Sequence, residues 1–314
     1  MDLVFAQLPL LLFTAIAPMA SGAFAGLSNA FLTTDFSPEA LRRIDRWTLL
    51  PIVILTVGVV LALVFFNSPQ AGLFVLQGVD SGAFTFAVVM AAVFAIAAVV
   101  YWIVAMAGVM SYGVRKGAAA IMSVLAVAYA VSIGIVYMTS DVATWASGIV
   151  PLGFAGFCLA SGVPLGALVI AAAGAMRETR GTSFATFSLV TALIGTVVAI
   201  FAVTVQLMNA QAMVSAFFAG ADILPGAWVY LAIALIGFVV ALGCLRGAFS
   251  DVRSAAPLGR TAGAAAAMPV YGATDLYDRD RAAERSTVAW LVGSNAAVLV
   301  ALIVSRVLFY ALQV

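Results

Sequence analysis

The sequence predicts an all-α polytopic membrane protein with eight transmembrane helices and with the N-terminus and C-terminus both outside. Composition is the first reason: the chain is 65% hydrophobic and only 9% charged, and its mean hydropathy is +1.19, which is too apolar for a soluble domain. The second reason is a set of eight continuous apolar runs. Each has roughly the 20 residues that a helix needs to cross a hydrocarbon layer of ~30 Å. The third is that basic residues occupy every second loop between the runs.

The apolar runs are taken as helices because their residues are continuously apolar and do not alternate as membrane-spanning strands do. In chain order the runs lie at 8–31, 49–66, 83–107, 118–138, 149–175, 184–207, 227–245 and 288–312. The first run is expected to be retained, since Asp2 precedes it and no basic residue does, the reverse of a cleaved signal. We interpret residues 1–314 as a single integral membrane domain.

The basic residues predict the orientation of the helices. Of the 14 Lys and Arg residues, 13 lie in the first, third, fifth and seventh loops. They are Arg42, Arg43, Arg46, Arg115, Lys116, Arg177, Arg180, Arg246, Arg253, Arg260, Arg279, Arg281 and Arg285. Because short basic loops are retained on the cytoplasmic side, these loops are predicted to be cytoplasmic. The longest, at 246–287, is interpreted as a solvated linker, with a short amphipathic piece near Asp275–Arg285 as an alternative.

Two local patterns predict structure within this frame. In the first loop Ser37 is expected to cap a short helix whose first position is taken by Pro38. Small-residue pairs with a spacing of four occur at 22 and 26 in the first run and at 162 and 166 in the fifth. Such glycine pairs allow two membrane helices to approach closely.

The membrane interior is nearly free of ionisable groups. Runs one to seven contain no Asp, Glu, Lys, Arg or His, and the whole chain has no histidine. This pattern argues against an ion-coupled carrier, and it leaves no ligands for a bis-histidine haem or a histidine-bound metal. We therefore expect no haem and no metal in this chain. Any redox groups would belong to a bound small molecule and to a partner subunit.

Polar side chains that remain gather at the outer ends of the runs, where they could frame a site for an amphipathic molecule. These polar residues are Gln7, Thr14, Asn67, Ser68, Asp80, Ser81, Thr85, Tyr137, Gln206, Asn209, Arg306 and Tyr310. An ordinary polar rim at the membrane interface is an equal alternative for most of them. For Arg306, the only basic residue inside a run, two interpretations stay open: the side chain snorkels to the interface, or it serves a site.

Several stretches together resemble the membrane-anchor subunits of the dimethyl sulfoxide reductase family. The matching stretches are Gln7 to Thr14 followed by Gly22-Ala23-Phe24, Ser37-Pro38-Glu39 followed by Arg42-Arg43, Ser68-Pro69 with Ala71 to Leu76, Tyr137 to Trp145 followed by Pro151-Leu152 and Phe154, and Arg306 to Tyr310. They agree in order and spacing over most of the chain. The eight-helix arrangement with the N-terminus outside supports the resemblance independently.

The resemblance implies a haem-free quinol-oxidising anchor in the bacterial cytoplasmic membrane. Such an anchor holds an iron–sulfur electron-transfer subunit and a molybdopterin catalytic subunit, and it oxidises menaquinol near the outer face. A polysulfide-reductase-type anchor and a small-molecule carrier are the alternative functions. Apolar residues of the second and sixth loops would then pack against the iron–sulfur subunit or dip into the lipid headgroups. These residues are Leu73, Phe74, Val75, Leu76, Phe217, Phe218, Ile223 and Leu224.

The chain departs from the family pattern at three places near the expected quinol site. Phe65-Phe66-Asn67 stands where the family often has a histidine, and Phe84-Thr85-Phe86 stands where it has a carboxylate. Gln7 stands where the family often has Glu. Asp80 is the nearest acid and is the candidate proton acceptor. Gln7, Thr14, Asn67, Ser68, Thr85 and Tyr137 are candidates for binding the quinol, and Arg306 could stabilise a developing quinolate. Loss of the quinol chemistry is the alternative.

Overall fold

A computed structural model, which describes residues 7–66, 81–213, 226–254 and 270–312, confirms the all-α fold class and the eight candidate membrane-spanning helices. Within those ranges the chain is helical and contains no strand. The helices are α1 (Leu8–Thr33), α2 (Pro38–Trp47), α3 (Leu49–Phe66), α4 (Ser81–Met106), α5 (Tyr112–Met138), α6 (Ile149–Ala172), a 3-10 helix (Met176–Thr179), α7 (Phe184–Ala212), α8 (Ala227–Ser254) and α9 (Val270–Ala311). Over this part of the chain, eight helices are long and apolar enough to cross a membrane.

Several helices extend beyond the apolar runs that predicted them. α5 begins at Tyr112 and not at residue 118, while α8 continues to Ser254 and α9 already begins at Val270. An apolar run ends at the first charged residue. The helix itself continues, because Arg, Lys and Glu are good helix formers. The prediction of a linker over 246–287 is therefore wrong at both ends, and residues 255–269 lie outside the described part of the chain.

Helices α1 and α6 form the centre of the bundle. Their membrane spans are each 83% buried inside the protein, more than any other span in the described residues. The two helices touch through the predicted glycine pairs. An added Cβ on Gly162 would lie 2.0 Å from the carbonyl carbon of Gly22, and one on Gly26 would lie 2.9 Å from the Cα of Gly166. The predicted close approach is confirmed.

The α1–α6 contact is formed by a short sequence repeat, which was not predicted. Residues 20–26 read Ala-Ser-Gly-Ala-Phe-Ala-Gly, and residues 160–166 read Ala-Ser-Gly-Val-Pro-Leu-Gly. The matching glycines face each other in register, so α1 and α6 run in the same direction. Around this pair, α3 and α5 pack on α1 and α4 packs on α5, while α7 and α9 pack on α6 and α8 packs on α9. The protein therefore consists of two similar four-helix halves.

The bundle has two ends that differ in polarity. We call the end formed by α2, the α4–α5 turn and the 3-10 helix the arginine-bearing end. We call the opposite end, at which α1 begins and α5 and α9 finish, the N-terminal end. The predicted cap of α2 is confirmed, since the Ala40 backbone N–H donates to Ser37 Oγ at 3.3 Å. Ser37 in turn donates to Glu178 from its backbone N–H at 2.7 Å and from its hydroxyl at 2.8 Å.

Ion pairs join neighbouring segments within each half at the arginine-bearing end. Arg115 of α5 forms a buried two-pronged pair with Asp45 of α2, in which Nη2 lies 3.0 Å from Oδ2. An exposed pair joins Lys116 to Asp35 at 3.2 Å, and the hydrogen bond from Lys116 lowers the pKa of the Asp35 carboxyl. Arg177 pairs with Glu284 at 2.7 Å and so ties the 3-10 helix to α9. Charged side chains at this end thus tie the start of α5 to α2 and the 3-10 helix to α9.

Candidate ligand cavity and its hydroxyl cluster

A largely apolar cavity of about 250 Å³ lies in the first half of the protein, toward the N-terminal end. Its walls come from four helices, α1, α3, α4 and α5. The lining residues are Leu10, Phe13, Val59, Ala62, Leu63, Phe84, Ala87, Val88, Ala91, Tyr129, Ile133, Val136 and Tyr137. A dry cavity of roughly 150 Å³ is enough to bind benzene, so this space has room for a larger ring system.

The α3 and α4 wall of the cavity faces the surrounding lipid. Leu63 is 61% exposed and Val88 is 50% exposed on the surface of the protein, and both also line the cavity. In a membrane these side chains touch acyl chains and not water. The wall therefore gives a lipid-soluble molecule a lateral route from the bilayer into the cavity.

Two tyrosines of α5, Tyr129 and Tyr137, are the residues with a hydroxyl among those that line the cavity. Tyr129 is only 1% exposed, and its ring stacks on Phe94 with centroids 5.5 Å apart. Its hydroxyl is buried and has no hydrogen-bond partner among the described residues. Because a buried hydroxyl left unsatisfied costs about 1–3 kcal/mol, Tyr129 is suited to donate to a ligand.

Tyr137 belongs to a cluster of three hydroxyls behind the cavity. Its hydroxyl lies 2.5 Å from that of Tyr310 in α9, where either oxygen can be the donor. The Thr14 side chain of α1 is fully buried and interacts with the same Tyr310 hydroxyl. Thr14 and Tyr137 were predicted from sequence as separate candidates, and the fold brings them together through a third residue.

Arg306 lies one turn before Tyr310 on α9 and is buried, with 2% of its surface exposed. Its guanidinium carbon lies 4.0, 4.4 and 5.0 Å from the ring centroids of Phe154, Phe157 and Phe309. The snorkelling interpretation is therefore wrong, because the aromatic box keeps the side chain inside the protein. The faces of aromatic rings attract a cation, which offsets part of the cost of its burial.

The charge of Arg306 has no carboxylate partner among the described residues. Its Nε and Nη1 atoms are buried and make no hydrogen bond to the described part of the protein. The polar groups that act on it electrostatically are the hydroxyls of Tyr137 and Tyr310. Phe154 separates it from the cavity, since this ring also stacks on Tyr137 with centroids 5.9 Å apart. Arg306 therefore does not line the cavity, although the Phe154 ring contacts both its guanidinium and Tyr137.

Of the other sequence candidates, Gln7 and Thr85 are described, and neither lines the cavity. Gln7 is the N-cap residue of α1, one turn before Leu10, which lines the cavity. Thr85 is exposed and does not line the cavity, although its neighbour Phe84 does. The remaining candidates lie outside the described residues, as do the apolar residues of the second and sixth loops. These candidates are Asn67, Ser68 and Asp80.

Sequence reasoning missed Tyr129 and the aromatic box around Arg306. The eight-residue spacing of Tyr129 and Tyr137 on one helix was an available signal, because residues about two turns apart share a face. The signal for the aromatic box was weaker. The three-residue spacing of Phe154 and Phe157 places them on one face of α6, but the sequence does not show that this face packs against α9.

The family model described as DMSO reductase anchor subunit (DmsC) matches residues 1–256 of the chain. This match covers the whole cavity-forming half and most of the second half. A search of curated proteins gave no match, and a search of solved structures also gave none.

Proposed function

Since the chain belongs to the DMSO reductase anchor-subunit family, DmsC, we propose that it is the subunit that binds and oxidises menaquinol for such a complex. In this proposal the cavity between α1, α3, α4 and α5 holds the quinol. The observation that carries it is an apolar space of about 250 Å³ that is lined by two buried tyrosines, Tyr129 and Tyr137. The electrons pass to an iron–sulfur subunit and then to a molybdopterin catalytic subunit, the partners that family membership implies.

The chemistry of menaquinol suits this cavity. Its two-ring head is flat and apolar apart from two hydroxyls, and its isoprenoid tail is lipid-soluble. The apolar walls accept the rings, and Tyr129 and Tyr137 offer hydrogen bonds to the oxygens. The tail leaves between α3 and α4, where Leu63 and Val88 already face lipid. Concave apolar sites with a few fixed polar groups are typical of small-molecule sites.

Oxidation of a quinol to a quinone releases two electrons and two protons, so the site needs proton acceptors. We assign the first acceptor to Asp80, which directly precedes Ser81, the first residue of α4. Phe84, in the first turn of the same helix, lines the cavity. Gln7, Thr85, Asn67 and Ser68 lie close in sequence to cavity-lining residues and are proposed to orient the quinol head at the rim.

We place the arginine-bearing end in the cytoplasm and the N-terminal end outside, in the cytoplasmic membrane of a bacterium. The support is the alternation of basic loops along the chain. The cavity then lies near the outer face, and its protons leave on that side. The iron–sulfur subunit docks at the same end, against the apolar residues of the second and sixth loops.

Two other functions were open on the sequence alone, a polysulfide-reductase-type anchor and a small-molecule carrier. The family match supports the DMSO reductase type of anchor. A carrier is further disfavoured because, in the described spans, ionisable side chains occur at the helix ends and not at the centre.

A cavity-filling variant tests the proposal. Ala91→Phe places a ring inside the cavity, whereas Ala92→Phe adds the same ring to the lipid-facing side of α4, where Ala92 is exposed. Binding of a fluorescent menaquinone analogue and menaquinol oxidation by the assembled complex should both be lost in the first variant only. Equal activity in Ala91→Phe and wild type, with the complex intact, would place the quinol elsewhere.

A further inference from the structure

The buried cation Arg306 lies next to a hydroxyl pair that leads away from the cavity. Tyr137 lines the cavity, whereas its partner Tyr310 does not. Tyr310 is 2% exposed and lies among Thr14, Tyr137 and Arg306. The hydrogen bond between Tyr137 and Tyr310 therefore connects the cavity wall in α5 to α9. The buried Thr14 of α1 lies next to Tyr310.

Burial of an arginine without a counter-charge is costly, because a charge inside a protein is normally paired. The three rings around Arg306 hold its position, but they leave Nε and Nη1 without a hydrogen-bond partner in the described residues. The oxygens that its charge reaches are those of Tyr137 and Tyr310. A fixed positive charge stabilises negative charge that develops on these oxygens while they exchange protons.

We propose that Tyr137 and Tyr310 form a proton relay from the bound quinol and that Arg306 is the positioning residue that stabilises this pair electrostatically. The inference rests on the quinol function proposed above and adds residues of α9 and α1 to it. Asp80 then takes one of the two quinol protons at the rim, and the relay takes the other.

The relay step is balanced in protons and electrons. The quinol O–H gives its proton to the Tyr137 oxygen while Tyr137 passes its own proton to Tyr310. Tyr310, beside the Thr14 hydroxyl, gives its own proton to a water molecule at the N-terminal end of the bundle, where α9 ends at Ala311. Each tyrosine gains one proton and loses one, so both end unchanged. The electrons leave separately to the iron–sulfur subunit of the proposed complex.

The test uses the complete anchor assembled with its partner subunits. Tyr310→Phe keeps the ring and its packing and removes only the relay hydroxyl. Because positioned proton transfer contributes about 10²–10⁴-fold to a rate, we expect kcat for menaquinol oxidation to fall by at least about tenfold. The Kd of a fluorescent menaquinone analogue should stay within about twofold, and the solvent deuterium isotope effect on kcat should increase, since a slow proton step then limits the rate. Tyr230→Phe, in the partly buried start of α8 and outside the cavity, is the matched control and should match wild type.

The positioning role of Arg306 is tested by charge. Arg306→Gln should lower kcat with analogue binding retained, and Arg306→Lys should restore part of the lost rate, which a purely packing role would not predict.

Thr14→Val keeps the shape of Thr14 and removes its hydroxyl, so it reports on the relay if Tyr310→Phe fails to assemble. It should also lower kcat.

Unchanged kcat in an assembled Tyr310→Phe complex, or in Thr14→Val if Tyr310→Phe does not assemble, would overturn the relay and leave the quinol function intact. A wild-type complex that oxidises no quinol would overturn both proposals. The two failures are therefore distinguishable.

Discussion

Gly22 and Gly162 touch backbone to backbone at the centre of the protein. A Cβ on Gly162 would lie 2.0 Å from the carbonyl carbon of Gly22 and 2.2 Å from its Cα. Lipid tails are as apolar as the helices, so association inside a membrane depends on this kind of close packing. The contact joins the two four-helix halves, and it also sets the position of α1, which carries Leu10, Phe13 and Thr14 to the site.

Gly162→Ala should therefore destabilise the protein, because the added methyl group meets backbone that cannot rotate away. Overpacking of this kind costs about 1–3 kcal/mol. Thermal unfolding in detergent should show a lower Tm. Gly117→Ala on α5 is the control, since nothing lies within 4 Å of a Cβ at that position. It should leave the Tm unchanged or raise it slightly, and an equal loss in both variants would contradict the steric explanation.

The sequence predicted the helices well and the site only in part. The length of an apolar run is enough to predict a membrane helix. The glycine pairs predicted the faces of α1 and α6 that pack closely. Charges misled the prediction at the start of α5, where Arg115 lies inside the helix and is buried against Asp45.

The missing part of the site depends on contacts between distant segments. The sequence did not decide between a snorkelling Arg306 and one that serves a site. The reason is that two residues of another helix, Phe154 and Phe157 of α6, surround its side chain. Those lie about 150 residues earlier in the chain, and no periodicity connects them to α9. The same holds for the Tyr137–Tyr310 pair, which only the packing of α5 against the end of α9 brings together.

Removing one partner of the Asp45–Arg115 pair should be strongly destabilising. Both side chains are 4% exposed, and Asp45→Ala would leave the arginine buried without its counter-charge. Breaking such a pair costs about 3–5 kcal/mol. The double variant Asp45→Leu with Arg115→Met should recover much of the loss, because it removes both charges. The Tm of single and double variants in detergent tests this, and a double variant that is no more stable than Asp45→Ala would contradict it.

The predicted topology can be tested by labelling cysteines in intact cells. In a Cys244→Ser background, a cysteine at position 260 should react with a membrane-impermeant maleimide only after permeabilisation, since the 246–287 region is predicted inside. A cysteine at position 72, in the 68–81 loop, should react from outside without permeabilisation. Labelling of position 260 in intact cells would overturn the orientation.

The second and sixth loops are predicted to dock the iron–sulfur subunit. Phe74→Asp combined with Phe218→Asp should release the anchor from the complex on gel filtration, because a charged group opposes burial in an apolar interface. Trp228→Asp alters a large side chain at the same end of the bundle, 49% exposed on α8. It serves as the control and should leave the complex intact. An intact complex in the double variant would mean that the loops contact lipid headgroups instead.

Asp80 is predicted to accept a quinol proton at the rim of the cavity. It directly precedes Ser81, the first residue of α4, and none of the described residues that line the cavity carries a carboxylate. Asp80→Asn removes the proton acceptor with little change in size, so menaquinol oxidation by the complex should slow by about 10²-fold or more. Electron donation from a soluble dye to the catalytic subunit should be unchanged. Asp141→Asn is the matched control, since Asp141 is exposed in the loop that follows α5 and lies at the same end of the bundle. Full menaquinol turnover in Asp80→Asn would remove Asp80 from the site, whereas failure of that variant to assemble, with Asp141→Asn intact, would assign Asp80 a structural role.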